Sequence, residues 1–335
     1  MLPAILGLSG ETLTDPERAF IREARPAGFI LFGRNIRDRA QLGALTDSLR
    51  EVTGRADLPI LIDQEGGRVA RLKPPEWPEF PAGWRFAELY RKAPISGIEA
   101  ARINAEAIAA TLAEVGINVD CLPLLDIRGE GTHDVIGDRA LGAEPMQVAA
   151  LGRAVLDGLE AGGVAGIVKH MPGHGRAAAD SHVELPVVAA DEAELETDIA
   201  PFRALKDAPM AMTAHVLFPA WDADRCASVS PIVIGEVIRG RIGFDGLLMS
   251  DDIAMEALSG THAERAQAAL KAGCDLVLHC SGRLEDGKEI AGALGEIGEA
   301  ATIRLERAMA CIAGRASAHD PALLTAKRDA LLAYA

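Results

Sequence analysis

The chain has 335 residues, 49% of them apolar, which suits one large barrel or two ordinary domains around a substantial core. Its 34 basic against 49 acidic residues leave a formal net charge of −15, which repels phosphate backbones and anionic lipid and excludes nucleic acid and membrane surfaces as expected partners. No apolar stretch approaches the roughly 20 residues of a membrane helix, and Cys121, Cys226, Cys274, Cys280 and Cys311 show no C-x-x-C spacing, so reduced thiols in a cytoplasmic protein are expected.

The amino terminus, MLPAILGLSGETLTDPER, has no basic residue before Arg18 and no small-residue cleavage pattern, so it reads as a first strand and not as a signal peptide. Taken in order, short apolar runs predict strands at 4–10, 28–33, 58–63, 117–127, 165–170, 210–216, 246–251 and 275–280. Segments of helical period lie between them, among them 15–25, 39–52, 97–116, 144–162 and 260–273, several ending at glycine. Eight strands alternating with helices predict a single-domain (β/α)8 barrel of the TIM type over 1–335. A doubly wound open sheet is the rival, weakened because no G-x-G-x-x-G follows the first strand. The loop KPPEWPEFPAGW (73–84) reads as a rigid excursion over one barrel face.

In such a barrel the site forms at the carboxyl ends of the strands. The predicted strand ends carry Asp63, Asp126, Lys169 with His170, His215, Asp251 with Asp252, and His279. Any one acidic strand end is ordinarily a cap or a loop acceptor; several together predict a site. After Asp63 come Gly66-Gly67 and then Arg68 and Arg71, where glycines let the backbone approach a ligand and guanidinium forks can pair with hydroxyl or carboxylate oxygens. Arg139 in VIGDRALG sits in apolar surroundings and needs partners, structural or substrate. Asp251 and Asp252 close an apolar strand, so one is expected to face a pocket and the other to cap or brace. A rigidly held carboxylate among hydroxyl-binding donors is what glycosidic cleavage uses as a nucleophile.

The segment KHMPGHGRAAADSH (169–182) admits several chemistries. His170 and His174 have i, i+4 spacing, but Pro172-Gly173 argues against the helix that would make them a zinc pair, and no metal or other cofactor is expected. Lys169 could form a Schiff base or donate hydrogen bonds as an ammonium. Asp180 two residues before His182, in an alanine-rich loop expected to be mobile, is a carboxylate–imidazole arrangement for general acid/base work. His174 is expected to brace the Pro-Gly turn. A metal-dependent hydrolase and a non-catalytic sugar-binding protein remain the other readings.

DQEGGRV, GDRALG, KHMPGHG followed by DSH, MTAHVLFPA and FDGLLMSDDIAM occur in the order found in family 3 glycoside hydrolases, and the chain resembles that family's single-domain bacterial β-N-acetylhexosaminidases of cell-wall recycling. The resemblance implies a retaining double displacement with Asp251 as nucleophile, His182 as acid/base and Asp180 as its partner. It implies that Asp63, Arg71, Arg139, Lys169 and His170 bind the sugar. It further implies a monomer acting on a small carbohydrate, N-acetylglucosamine on an anhydro-N-acetylmuramic acid peptide. The chain departs from the family pattern at Met171 (commonly Phe), Arg176 (commonly Asp) and Ala140-Leu141 (commonly Ser-Phe); Met171 keeps apolar bulk, whereas Arg176 reverses a charge in the loop.

Overall fold

The computed structural model describes residues 1–129, 132–181 and 183–334. Eight parallel strands, β1 (Leu2–Gly7), β2 (Pro26–Leu31), β3 (Ile60–Ile62), β4 (Val119–Asp120), β5 (Ala165–Met171), β6 (Met210–Thr213), β7 (Leu247–Asp252) and β8 (Leu276–His279), pair in sequence order. The ring closes through Ala4↔Val277 and Leu6↔His279, so the barrel has no free sheet edge. The open-sheet alternative is thereby ruled out.

The connections are α1 (Asp15–Ala24), α2 (Arg39–Thr53), α3 (Gly83–Lys92), α4 (Pro94–Glu114), α5 (Pro145–Ala161), α6 (Glu192–Ala204), the π-helix Val233–Ile242, α7 (His262–Ala272) and α8 (Leu284–Ala293), followed by α9 (Glu299–Ala310) and α10 (Pro321–Leu332). Caps written into the sequence set several starts. Thr14 with Glu17, Asp191 with Glu194 and Thr261 with Glu264 form reciprocal capping boxes, in which side chain and backbone satisfy each other's orphan groups for about 1 kcal/mol each.

Alternation along the strands builds two apolar layers. Ile5, Ile30, Leu61, Val119, Ile167, Met210 and Leu247 fill the barrel interior. Leu305, Ala308 and Met309 of α9 belong to the same cluster and plug the amino-terminal mouth. The second layer lies between strands and outer helices, where α5 approaches α4 closely because a Cβ on Gly158 would meet the carbonyl oxygen of Arg102 at 2.2 Å. With one mouth stoppered, ligand access is left to the carboxyl ends of the strands. Among the described residues no helix is long and apolar enough to cross a membrane.

The expected strand 117–127 is the largest departure. Only Val119–Asp120 pairs as a strand, because Pro123 has no N–H to give the ladder; pairing resumes once, at Leu124↔Lys169.

Candidate active site

The carboxyl-terminal rim surrounds a cavity of about 440 Å3 bordered by Asp63, Glu65, Arg68, Arg71, Arg139, Lys169, His170, His174, Asp180, Asp251 and Asp252, over an apolar floor that includes Ile30, Met212 and Leu278. Every described residue expected to act on substrate is therefore in one place. His182, expected as the acid/base, lies outside the described residues. Of the other strand-end groups, His215 sits behind the cavity wall, and His279 is turned away from it.

The β3 side is built by a turn. Gly66 (φ 98°) and Gly67 (φ 55°) adopt left-handed backbone open chiefly to glycine, and a Cβ on Gly66 would strike the Pro81 carbonyl oxygen at 2.3 Å. Gln64 holds the returning chain, its Oε1 accepting from the amides of Arg71 (2.8 Å) and Leu72 (2.9 Å). The result is that Asp63, Glu65 and Arg71 all face inward. Beneath them the Gln64 amide donates to Asp120 (3.0 Å), whose carboxyl burial pushes up to about 8, so it is neutral at pH 7.

Glu65 was not expected in the site, and it is the hub. Its Oε2 accepts from Arg139 Nε and its Oε1 from Arg139 Nη2, both at 2.8 Å, while Lys169 Nζ lies 2.6 Å from Oε1. Lys169 also reaches Asp63 Oδ1, and Arg71 Nη2 reaches Asp63 Oδ2, both at 3.1 Å. Burial pushes the Glu65 carboxyl up, but Arg139 and Lys169 outweigh it and hold it well below the usual carboxylate range; burial likewise opposes the Lys169 ammonium, and Glu65 with Asp63 keeps it charged. Of the two roles open to Lys169, this favours the ammonium that donates hydrogen bonds over a Schiff base, since an amine held protonated cannot attack a carbonyl. Arg139 is both an ion-pair partner and a cavity wall.

Lys169 and His170 are adjacent yet both border the cavity, where the β5–β6 register shifts between Val168 and Met171. Asp126 holds the second of them. Its Oδ2 is 2.7 Å from His170 Nδ1, and its Oδ1 accepts from the amides of His174 (2.6 Å) and His170 (3.3 Å). With Nδ1 donating to the carboxylate, His170 Nε2 is the face left for a ligand. The His174 ring stands edge-on to His170 at 5.7 Å and borders the cavity, so it does more than brace the turn.

On β7 the register against β8 shifts between Met249 and Asp252, and both aspartates border the cavity instead of taking opposite faces. Their roles still divide. Asp252 Oδ1 accepts from the amides of Ala254 and Cys280, both at 3.0 Å, and its backbone oxygen takes His215 Nε2 at 3.0 Å. Asp251 is 7% exposed, and its Oδ1 accepts from the Asp252 amide at 2.8 Å, leaving Oδ2 toward the cavity. Burial pushes Asp251 up, but the His215 and His170 imidazoles, the Asp252 amide and the Lys169 ammonium outweigh it, so the carboxyl is held below the usual range. His215 is itself pushed down by burial. The Asp252 amide and the Lys169 ammonium supply their part of that hold whether or not His215 is charged.

Asp180 reaches the cavity on a segment that is tied down. Thr132 Oγ1 donates to the Gly175 carbonyl (2.7 Å), and Arg176 Nε donates to Asp198 Oδ2 of α6 (2.6 Å). Arg176 thus has a structural partner, and the described part of the loop is anchored at both points.

The family model for the glycosyl hydrolase family 3 N-terminal domain matches residues 6–313. The chain belongs to glycosyl hydrolase family 3. It is 40% identical over 284 residues to a beta-hexosaminidase of Bordetella avium, covering 83% of this chain and 80% of that one, and 38% identical over 287 residues to one of Aromatoleum aromaticum, covering 83% and 79%. Among solved structures, NagZ from Neisseria gonorrhoeae in complex with N-trifluoroacetyl-D-glucosamine superposes with a TM-score of 0.85 at 30% identity, covering 99% of this chain and 96% of that one. The chain is therefore a glycoside hydrolase on a (β/α)8 barrel, as the motif order implies. Glu65 could have been found from its sequence: an acid between a strand-end aspartate and a glycine pair, in a chain with otherwise unpartnered Lys169 and Arg139.

Proposed function

We propose that this family 3 enzyme is a retaining exo-β-N-acetylglucosaminidase that removes terminal β-linked N-acetylglucosamine from peptidoglycan-derived muropeptides in peptidoglycan recycling. On this reading residues 1–335 work as one catalytic domain, monomeric and cytoplasmic. The five free cysteines favour a reducing compartment, and the beta-hexosaminidase relatives favour the aminosugar.

The observation that carries the reading is Asp251: a deeply buried, ionised carboxylate with one oxygen fixed by the Asp252 amide and the other directed at a cavity rich in hydroxyl-binding groups. Asp63, Arg71, Arg139, Lys169 and His170 hold the sugar. Asp251 Oδ2 attacks C1 while protonated His182, paired with Asp180, gives its proton to the glycosidic oxygen and the aglycone leaves. Neutral His182 then takes a proton from water, whose oxygen attacks C1 and releases Asp251. The Glu65 ion-pair network is already charged and ordered before substrate arrives, so little reorganisation is needed as positive charge grows on the sugar.

The test is the stereochemistry of the first product. Proton NMR during cleavage of an aryl β-N-acetylglucosaminide should show the β anomer first, with mutarotation following, and Asp251→Asn should lower kcat roughly 10⁴-fold. An α anomer formed first ends the double displacement. Near-normal turnover by Asp251→Asn removes Asp251 as nucleophile.

A further inference from the structure

Behind the catalytic cavity, on the outer side of β8, a second group of chemistry-bearing side chains meets. Leu278 and Cys280 border the cavity, and His279 between them turns outward, 2% exposed, toward α7 and α8. Its Nε2 is buried with no hydrogen-bond partner among the described residues. A buried imidazole nitrogen left so is costly unless something occupies it. His262, the first residue of α7, stands edge-on to His279 with ring centroids 4.7 Å apart, and Asp286 comes from the first turn of α8.

We propose that His262, His279 and Asp286 form a binding site for a divalent cation of the zinc class, separate from the catalytic cavity. One donor atom from each lies within 4.8 Å of the others, with His262 Nδ1 3.8 Å from Asp286 Oδ1 and His279 Nε2 3.8 Å from Oδ2. A carboxylate offers about four lone-pair sites. Ser281 Oγ (2.7 Å) and Arg283 Nε (2.9 Å) take two on Oδ2, and Arg283 Nη2 (2.7 Å) takes one on Oδ1, which leaves Oδ1 one site, with His262 Nδ1 3.8 Å from that oxygen. Those same bonds would orient the carboxylate as outer-sphere partners orient metal-bound carboxylates. Glu289 Oε2 lies 3.8 Å from His262 Nδ1 on the surface side, outside the cluster that the three donors form.

Two imidazoles with carboxylate oxygens suit zinc better than calcium or magnesium, which favour oxygen alone. A tetrahedral zinc shell has ligand-to-ligand edges of about 3.4 Å, so the widest pair must close somewhat. His262 is 23% exposed and can rotate to do so, and the Arg283 side chain, 72% exposed, can move off without opening the core. Filling the site would cross-link β8, α7 and α8 directly behind Asp252, whose Oδ1 already holds the Cys280 amide.

The full chain, stripped with chelator and dialysed, is titrated with zinc chloride by calorimetry, and with cobalt(II) while its visible absorption is recorded. The expected result is one equivalent of zinc, intense tetrahedral cobalt bands, and a Tm about 2 °C higher when free zinc exceeds its Kd tenfold. His279→Gln and His262→Ala should each abolish all three; His262, being partly exposed at a helix start, keeps the test open if His279→Gln does not fold. Absence of a zinc equivalent in the wild type overturns the site. So does an equivalent that survives in His262→Ala, which would put the metal elsewhere.

Discussion

Glu65 binds two cations that lie far from it in the chain, and its side chain is 4% exposed. Replacing it by Gln removes the charge and leaves Arg139 without its carboxylate and Lys169 with Asp63 alone. Breaking a buried pair from one side costs about 3 kcal/mol. Glu65→Gln should therefore unfold at lower urea and bind an N-acetylglucosaminide more weakly, with KM raised more than kcat is lowered, because both cations lose their place before substrate arrives. The sign of the pH effect follows from the depressed carboxyl. Its stabilisation is complete above the unfolded value of about 4.3 and is lost as pH falls toward the folded one. The stability gap between wild type and Glu65→Gln should be constant from pH 8 to 6 and smaller at pH 3. A gap that does not narrow would mean that Glu65 acts through shape and not through charge. Asp63, Lys169, His170 and Asp251 were legible in the sequence because a strand end fixes where a side chain goes. Glu65 was legible there only as an acid beside the glycine pair, because its role rests on a salt bridge to Arg139, 74 residues away, that no local pattern encodes.

Among the elements, α1, α2, α4, α5 and α7 could be read closely and lie within three residues of expectation at each end. The helix α6 could not, since EAELETDIAPFRA has little apolar face and an internal Pro201. Its use is clearer than its pattern. Buried Asp198 on α6 takes Arg176 Nε, and the Arg176 side chain also approaches Glu194, so the helix holds the segment that delivers Asp180. Burial pushes the Asp198 carboxyl up even with Arg176 beside it. In Arg176→Ala that carboxyl loses its cation, and Gly173–Ser181 loses its tether to α6. Hydrogen exchange at the amides of Ala177–Ser181 should accelerate at least tenfold, about 1.4 kcal/mol of lost local stability, while the amides of β5 are unchanged. On the proposed mechanism the substitution should also lower kcat on poor leaving groups more than on good ones, because only the former depend on proton donation by His182. Unchanged exchange would show that Thr132 on the Gly175 carbonyl and the His133 amide on the Ala177 carbonyl hold the loop without α6.

Across the whole molecule, a chain of contacts links the site to elements that lie outside the eight-fold repeat. The loop 73–84 lies over the Gly66-Gly67 turn, with the Gly67 amide donating to the Phe80 carbonyl at 2.7 Å. Its far side is held by α10, where Arg328, 5% exposed, donates to Asn104 Oδ1 of α4 at 3.0 Å and stacks over the Phe80 ring at 5.7 Å. The chain of contacts runs from α10 through Phe80 to the turn that aims Glu65 into the cavity. Arg328→Ala should cost about 3 kcal/mol, since it removes a buried charged donor and its packing and leaves Asn104 unsatisfied. A purely structural residue would do no more than that. If the contact chain also positions the turn, the fully folded Arg328→Ala protein at 25 °C should show a raised KM with kcat nearly unchanged, and combining it with Glu65→Gln should raise KM by less than the product of the two single effects, because both act on the same pair of cations. Multiplicative effects would instead confine Arg328 to holding α10 on α4, and the Gly66-Gly67 turn would then owe its shape to its own glycines and to Gln64.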